Sequence, residues 1–313
     1  MAGGAVGTAR VTAAGARETE LAAAYERARP RLVSVAYAVL GSHSEAEDVV
    51  SDCWLRLVAA DARESVRDIE AWATITVARA ALDTARSARR RREVYVGPWL
   101  PEPVVGRGGE ATASDPADRI SLDDTIRYAL LVVLESLSPA ERTAWVLHDL
   151  FGLPFGEIAE AVGRTPAAVR QLASRARAHV NAHAPRVDVS RGQHDAAVRS
   201  FISAAAGGDL SALIEALDPD VVLTSDGGGE VTAALRPVLG ADKVGRLLVG
   251  LLNQLPPCAE IEPVVLNGEL GIGIVDYTGL SSVVAFTFDG GLITRIDMIR
   301  SPRKLPGGAS SPG

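Results

Sequence analysis

Side chains that can contact DNA bases recur at helical spacing in the run RTPAAVRQLASRAR, residues 164–177. One face of a helix over this run holds Arg170, Gln171, Ser174 and Arg175. In a DNA major groove, arginine pairs with guanine and glutamine with adenine. The run therefore predicts a DNA-reading helix. The alternative is a helical hairpin whose basic face is only solvated.

The residues before this helix predict the turn that presents it. Ile158, Ala159 and Val162 give a preceding helix its apolar face. Gly163 permits a left-handed turn, and Thr165 followed by proline predicts the N-cap of the second helix. Residues 163–191 contain six arginines and one aspartate, whereas residues 192–313 carry a net charge of −6. Positive charge concentrated in one segment favours DNA binding despite the overall charge of −7.

The whole chain of 313 residues is long enough for several domains. Composition and periodicity predict a disordered N-terminus (1–17), a helical domain (18–95), a Pro/Gly-rich linker (96–119), a second helical domain (120–184), an α+β domain (192–302) and a loose tail (303–313). The fold class is thus multidomain, with two all-α domains followed by an α+β domain with a mainly antiparallel sheet.

Local signals predict some of the element boundaries. Ser44 and Glu47 have capping-box spacing at the start of a helix over 44–60, and a second long helix is expected over 68–92. Ser138, Pro139 and Glu141 predict another helix start. In the α+β domain, one helical stretch over 194–217 precedes five strand-like runs at 221–225, 264–266, 272–277, 283–288 and 292–299.

Other sequence features argue against several protein classes. Residues 1–20 lack the apolar stretch of a signal peptide, and no run is apolar enough to span a membrane. Cys53 and Cys258 are not in a metal-type or redox-type spacing. We therefore expect a cytoplasmic protein without a cofactor, a metal site or a membrane partner.

Two stretches in order resemble extracytoplasmic-function (ECF) sigma factors of bacterial RNA polymerase. The stretch ARPRLVSVAYAVLGSHSEAEDVVSDCWLRLVAAD, followed by AWATITVARAALDTARSARRRREVY, is similar to their region 2. The stretch LESLSPAERTAWVLHDLFGLPFGEIAEAVGRTPAAVRQLASRARAHV is similar to their region 4. The resemblance implies a subunit that joins core RNA polymerase and selects promoter DNA.

Two short motifs narrow the resemblance to sigma factors with a fused C-terminal SnoaL-like domain. They are the linker sequence Trp99, Leu100, Pro101, Glu102 and Pro103, and the sequence Asp226, Gly227, Gly228 and Gly229 in the last domain. The subgroup usually has lysine after the glycines, whereas this chain has Glu230. A charged contact made by that lysine would be lost or reversed here.

The resemblance assigns expected roles to individual residues. The −35 element is expected to contact Arg164, Thr165, Arg170, Gln171, Ser174, Arg175 and Arg177. The −10 element, where a base leaves the stack, is expected to contact Asp61, Arg63, Arg67, Arg79, Arg86, Arg89 and Arg90. Core polymerase is expected to contact Glu45, Asp48, Asp52, Trp54 and Leu55. For the last set, a solvated acidic surface with a packed Trp54 is the alternative.

The C-terminal domain leaves more alternatives open. We expect it to regulate promoter activity by packing on the linker at the two short motifs, and a small-molecule ligand is a possible partner. Asp226 before three glycines suggests a tight turn rather than a buried catalytic acid, so no enzymatic activity is expected. A separate anti-sigma partner is not required by the sequence. The main alternative is a ligand-sensing helix-turn-helix regulator that never joins polymerase, and a third is a SnoaL-type enzyme on a DNA-binding scaffold.

Overall fold

A computed structural model of the chain describes residues 4–92, 95–107, 126–184 and 190–306. The described residues form two compact units. The first lies within Met1–Arg86 and Ser138–Arg177, and the second lies within Ser87–Leu137 and Ala178–Gly313. Each unit combines segments that are distant in the sequence, and the predicted domain boundaries stay a prediction. Parts of the predicted linker and tail, residues 108–119 and 307–313, fall outside the described residues.

In chain order the helices are α1 (Gly4–Leu40), α2 (His43–Asp61), α3 (Ile69–Arg92), α4 (Tyr128–Leu134), α5 (Pro139–Trp145), α6 (Phe155–Val162), α7 (Pro166–His183), α8 (Arg191–Ala206), α9 (Leu210–Glu215) and α10 (Ala241–Asn253). The strands are β1 (Val105–Arg107), β2 (Leu217–Asp226), β3 (Val238–Leu239), β4 (Glu260–Leu266), β5 (Glu269–Asp276), β6 (Gly279–Asp289) and β7 (Leu292–Ile299).

The N-terminal helices differ from the sequence expectation at two places. Helix α1 begins at Gly4, so residues 4–17, for which disorder was predicted, are helical, as the helix propensity of an alanine-rich run favours. The capping box predicted at Ser44 and Glu47 is wrong. The N-cap of α2 is Ser42, whose hydroxyl accepts from the backbone N–H of Glu45 at 3.2 Å. Gly41, with φ of +70°, ends α1 and leaves Ser42 in the extended conformation that an N-cap requires.

Helices α5, α6 and most of α7 share a core with α1 and α3. Val35 of α1 and Leu82 of α3 belong to the same buried cluster as Leu147, Ile158 and Val169. The predicted capping box at Ser138 and Glu141 is present at the start of α5. A π-helical turn, Val146–Leu150, follows α5. The two helical segments of the first unit are therefore stabilised by one common core.

The second unit is built on a seven-stranded sheet in the order β1-β4-β5-β6-β7-β2-β3. All neighbouring strands are antiparallel except β2 and β7, which are parallel. The five strand-like runs found in the sequence correspond to β2, β4, β5, β6 and β7. The predicted α+β domain with a mainly antiparallel sheet is confirmed.

Helices α8, α9 and α10 pack on one face of this sheet. Val198 of α8, Leu213 of α9 and Val244 of α10 lie in one buried cluster with Val284 and Phe286 of β6. The single helix expected over 194–217 is wrong, because the chain turns at residues 207–208, where Gly208 has φ of +65°. Helix α10 was not predicted, although its apolar residues have helical spacing.

The linker and α4 pack on a second apolar cluster of the sheet. Leu100 of the linker and Tyr128 of α4 are buried there with Val283, Ile299 and Leu305. Strand β1, inside the segment predicted to be only a linker, pairs with β4 and forms one edge of the sheet. The Pro/Gly composition concealed this short strand, since it is specified by its partner strand and not by a local pattern.

Asn267, at the turn between β4 and β5, joins these segments. Its backbone N–H donates to Val104 O at 3.0 Å, and its side-chain oxygen accepts from Val104 N–H at 3.1 Å. Its amide nitrogen donates to Ile126 O, at the entry to α4, at 3.2 Å. One buried asparagine therefore holds both Val104, just before β1, and Ile126, two residues before α4, on the sheet.

Within the described ranges, no helix is both long and apolar enough to cross a membrane. The same part of the chain contains no group of three or more His, Cys, Asp or Glu side chains arranged to hold a metal ion.

Candidate nucleic-acid interface

Helix α7 presents the predicted polar face to solvent. Gly163 ends α6 with φ of +68°, and the Thr165 hydroxyl accepts from the Ala168 N–H at 3.3 Å. The inward face contains the buried residues Val169, Ala173 and Ala176. The exposed side chains are Arg164, Thr165, Arg170, Gln171, Ser174, Arg175 and Arg177. The arrangement is that of a helix-turn-helix with a hydrogen-bonding face available to a groove.

Two of the arginines on α7 are held by neighbours. The Arg177 guanidinium donates to Asp149 at 2.8 Å through Nε and lies 2.7 Å from the same carboxylate through Nη2. This contact raises the pKa of Arg177 further, so its charge is permanent. Arg170 lies above the Phe155 ring, 5.2 Å from its centroid. Arg177 therefore stabilises the position of α7 through Asp149. The side chain of Arg170 is exposed, and its contact with the Phe155 ring orients it.

The loop between α2 and α3, residues 62–68, exposes two of its predicted DNA contacts, Arg63 and Arg67. Asp61, at the end of α2, is different. Its side chain is 9% exposed and is paired with Arg17 of α1 at 2.7 Å. It also accepts from Val66 N–H at 2.8 Å, and these hydrogen bonds lower the pKa of Asp61. Asp61 shapes the loop and does not face solvent as a DNA contact would.

The basic residues on α3 differ in their surroundings. Arg79 donates to Glu160 O of α6 at 2.7 Å, and Arg86 pairs with Asp83 at 3.1 Å. Arg89 donates to Leu137 O at 3.4 Å, while Arg90 is exposed. Arg79 is thus engaged inside the first unit in this state of the protein.

Helix α2 carries an exposed acidic and apolar stripe. Asp48, Asp52 and Leu55 follow one another at four- and three-residue spacing, and Leu55 is 67% exposed. Glu45 continues the stripe toward the N-terminus and is half-buried. Trp54 is half-buried against Tyr25, with ring centroids 5.5 Å apart, so its main role is packing.

The two short motifs meet at the carboxylate of Asp226, which ends β2. Its side chain has no exposed surface. It accepts from the Leu100 backbone N–H at 2.8 Å, from Gly228 N–H at 2.9 Å and from Lys304 Nζ at 2.7 Å, and the Tyr95 hydroxyl donates to it as well. These five residues are referred to below as the Asp226 cluster. The tight turn expected after Asp226 is present, but its carboxylate is buried, because donors from that turn and from two distant segments compensate its burial.

Trp99 lies beside this cluster between two cationic groups. The Arg92 guanidinium is 3.3 Å and the Lys304 ammonium 4.0 Å from the centroid of its ring. Arg92, at the end of α3, also pairs with Glu135, immediately after α4. The rest of the motif packs into the unit, since Leu100, Pro101 and Pro103 are buried and Glu102 is half-buried. The linker motif is therefore an integral part of the second unit.

The glycines after Asp226 are required by space and by backbone conformation. A Cβ on Gly227 would lie 2.2 Å from Val231 O, and Gly228 and Gly229 have φ of +71° and +74°. Glu230, at the position where the resemblance leads us to expect lysine, forms an ion pair with Arg303 at 2.5 Å. Its negative charge is therefore matched by a neighbouring arginine.

Burial controls the ionisation of the donors in the Asp226 cluster. Desolvation lowers the pKa of Lys304 from 10.5 to about 8, although Asp226 opposes the shift. Desolvation, reinforced by the hydrogen bond to Asp226, raises the pKa of Tyr95, so its hydroxyl remains a donor. The amine of Lys304 is the group in this cluster whose proton is most easily lost.

Sequence reasoning missed Tyr95, Lys304, Arg92, Asn267 and Arg17. One signal was available, since Lys304 is one of only two lysines in a chain whose other basic residues are arginines. A lysine that shifts its pKa on burial does what arginine cannot. The other four have no local pattern, because each has a hydrogen-bond partner between 43 and 163 residues away.

We expect NMR of the side-chain amines to show Lys304 losing its proton at about pH 8. The chain has two lysines, so Lys243→Arg leaves one signal and assigns it. Asp226→Asn should move the midpoint lower, because the carboxylate favours the charged amine. Between about pH 8 and 10.5 the unfolded chain binds more protons at this amine, so its contribution to folded stability rises with pH there. A midpoint unmoved by Asp226→Asn would contradict the ion pair.

Comparison with known proteins supports the similarity to sigma factors, both for the separate helical regions and for the whole chain. The family model of Sigma-70 region 2 matches residues 24–91, and that of Sigma-70, region 4 matches residues 127–180. The ECF RNA polymerase sigma factor SigJ of Mycobacterium tuberculosis (strain ATCC 25618 / H37Rv) is 40% identical over 293 residues, which cover 90% of this chain and 92% of that protein. The probable ECF RNA polymerase sigma factor SigI of M. tuberculosis (strain CDC 1551 / Oshkosh) is 35% identical over 289 residues, covering 91% and 94%.

A solved structure extends the similarity to the fold. The crystal structure of M. tuberculosis SigJ matches with a TM-score of 0.73 and 36% identity, covering 92% of this chain and 99% of that one. The sequence interpretation of the chain as a sigma factor is confirmed. The helix-turn-helix of this chain exposes its polar face, and SigJ, a relative of similar length, shares two fifths of its residues. This chain therefore belongs to the extracytoplasmic-function sigma factors of RNA polymerase.

Proposed function

We propose that the chain joins core RNA polymerase, directs it to promoters with −10 and −35 elements, and is modulated by its C-terminal domain. The observation that carries the proposal is the exposed Arg, Gln and Ser face of α7, presented by the left-handed turn at Gly163. Because polymerase works on chromosomal DNA, this role places the chain in the cytoplasm.

For the −35 element, we assign base contacts to Arg170, Gln171, Ser174 and Arg175. All four are exposed on one face of α7. Arg164 and the N-terminus of α7, capped by Thr165, are assigned to the DNA backbone. Arg177 supports this face through Asp149.

For the −10 element, the exposed residues Arg63 and Arg67 of the loop after α2 are the assigned contacts. Arg86, Arg89 and Arg90 add cationic side chains along α3 that suit phosphates. Arg79 is exposed, and its guanidinium, which donates to Glu160 O, becomes available to a phosphate when this surface hydrogen bond is exchanged.

For core polymerase, the stripe Glu45, Asp48, Asp52 and Leu55 on α2 is the assigned surface. An exposed leucine among carboxylates suits a partner with basic residues around an apolar site. Trp54 packs against Tyr25, and we assign it to holding in place the helix that carries the stripe.

The test of this function is run-off transcription with core polymerase on a library of templates with randomised upstream DNA. We expect enrichment of templates with two separated elements. Arg170→Ala or Arg175→Ala should weaken use of the −35 element by about 1–3 kcal/mol and relax the preference at one base position. Arg199→Ala, an exposed arginine of α8, is the matched control and should leave selection unchanged.

Other outcomes of this experiment distinguish the alternatives. A loss that is uniform across promoter sequences would reassign the substituted arginine to a phosphate. Tight DNA binding by the chain alone, with no association with core polymerase, would favour the helix-turn-helix regulator instead.

We infer that the Asp226 cluster is the regulatory contact of the C-terminal domain. The segment that leaves region 2 ends at Arg92, and the segment that enters region 4 includes Glu135, and both residues pair beside Trp99. The Arg92–Glu135 pair, next to the cluster, therefore joins the chain on either side of the linker. We assign no catalytic role to Asp226, because its carboxylate oxygens are already occupied by protein donors.

Trp99→Ala and Asp226→Asn are each expected to change transcription from a selected promoter while affinity for core polymerase persists. The reason is that each variant loosens the linker from the sheet without touching α2. Their double variant should be non-additive, since both residues contact Lys304. Leu239→Ala, which is 60% exposed, is the control. Strict additivity, or unchanged activity after removal of residues 192–313, would contradict the regulatory contact.

A cavity supports a ligand as the second partner of this domain. It has a volume of about 760 Å³ and is lined by apolar residues that include Leu251, Ile274 and Met298 and by polar residues that include Ser282 and Arg300. Its wall also contains Val231, Thr232, Arg300, Pro302 and Leu305, which lie next to the glycine turn and on either side of Lys304 in the sequence. We propose that a small, mainly apolar molecule with hydrogen-bonding groups binds here and alters the Asp226 cluster.

An apolar dye, 1-anilinonaphthalene-8-sulfonate, serves as the probe for this cavity. We expect one dye per chain, affinity reduced about tenfold or more by filling the cavity with Ile274→Trp, and a shifted Lys304 midpoint when dye is bound. Leu235→Ala, an exposed apolar control outside the cavity wall, should not weaken binding. Dye binding that persists in Ile274→Trp would reject this site.

A further inference from the structure

We propose that Arg17 is a positioning residue for −10 recognition. It sets the conformation of the loop between α2 and α3 in which the base-contacting side chains lie. The inference rests on the proposed role of that loop in contacting the −10 element. Arg17 belongs to α1, and it lies 44 residues before its main partner, Asp61.

Arg17 contacts both ends of the loop at the same time. Its Nε donates to Asp61 Oδ2 at 3.1 Å and its Nη2 to Asp61 Oδ1 at 2.7 Å. The same Nη2 donates to the backbone carbonyl of Val66 at 3.0 Å and lies 3.3 Å from the Ser65 hydroxyl. One guanidinium therefore fixes the end of α2 and the far side of the loop.

Asp61 completes this arrangement. Its Oδ1 accepts from Val66 N–H at 2.8 Å, which closes the loop over residues 61–66. At the start of the loop, Ala62 N–H and Glu64 N–H donate to carbonyls of α2 at 3.1 and 3.0 Å. With both ends held, Arg63 and Arg67 are the cationic side chains of the loop that point to solvent.

We expect the contacts of Arg17 to affect the selection of the extruded base more than the free energy of unfolding. Arg17 is 31% exposed at its side chain, and ion pairs this close to solvent add little to folding. Extruding a base from the DNA stack is unfavourable, so a loop that must also become ordered on binding binds that base less well. A planar guanidinium can hold a carboxylate and a carbonyl together, whereas a lysine supplies only a point charge. We therefore expect Arg17→Lys to restore only part of the function.

The experiment uses the full chain bound to core polymerase and single-stranded DNA of the −10 element obtained from the template selection. Each base is replaced in turn by an abasic site, and the ratio of dissociation constants for abasic and intact DNA is measured. We expect the wild type to show a large ratio at one position. Arg17→Ala should reduce that ratio by about tenfold, with Arg17→Lys in between, while binding of core polymerase and of −35 duplex DNA stays unchanged.

Glu20→Ala is the matched control, because Glu20 is the other ion-pair partner of Arg17, at 2.9 Å, and lies outside the loop. It should keep the wild-type ratio. A wild-type ratio in Arg17→Ala would overturn the inference, and so would an equal loss of affinity for every strand, which indicates a phosphate contact or a folding defect. If Arg63→Ala lowers the ratio while Arg17→Ala does not, the loop contacts the base and only the role of Arg17 is rejected. If no position is sensitive in the wild type, the proposed role of the loop fails, and the inference fails with it.

Discussion

A carboxylate without exposed surface is stable in the second unit only because donors from three parts of the chain surround it. Asp226 meets the Tyr95 hydroxyl and the Leu100 N–H from the linker side, Gly228 N–H from its own turn, and the Lys304 ammonium from the segment after the last strand. Removing any one donor leaves a buried charge with incomplete compensation. The positions of the linker, the glycine turn and the residues after β7 are therefore interdependent, and each depends on this one group.

That dependence explains why two short motifs that are far apart in the sequence belong to one structural feature. The glycines permit a backbone path that brings Gly228 N–H back to Asp226. The linker supplies Trp99, whose ring makes cation–π contacts with both Arg92 and Lys304. Glu230, which follows the glycines, also has a partner of opposite charge. Its negative charge lies against Arg303, next to the lysine that Asp226 binds.

Features that depend on local chain chemistry were predictable, and features that depend on distant partners were not. The helix-turn-helix followed from apolar periodicity, the glycine turn and the Thr165 cap, all within about 25 residues. The five main strands followed from the same kind of pattern. The burial of Asp226 was missed because Tyr95 and Lys304 lie 131 and 78 residues away. The pairing of Asp61 with Arg17 was not predictable for the same reason, since Arg17 lies in a segment for which the composition indicated disorder.

The apolar and the charged contacts of the linker contribute differently to its position on the sheet. A buried ion pair often adds little net stability, because the desolvation of both charges offsets their attraction. The lowered pKa of Lys304 has the same origin, since the folded unit holds the charged amine at a cost. The larger favourable term comes from the apolar cluster in which Leu100 and Tyr128 pack on the sheet. In this division the apolar contacts supply most of the affinity between the linker and the sheet, while the charged group determines the geometry. A change at the charged group would therefore alter the geometry of the linker on the sheet, while the apolar cluster keeps the linker in place.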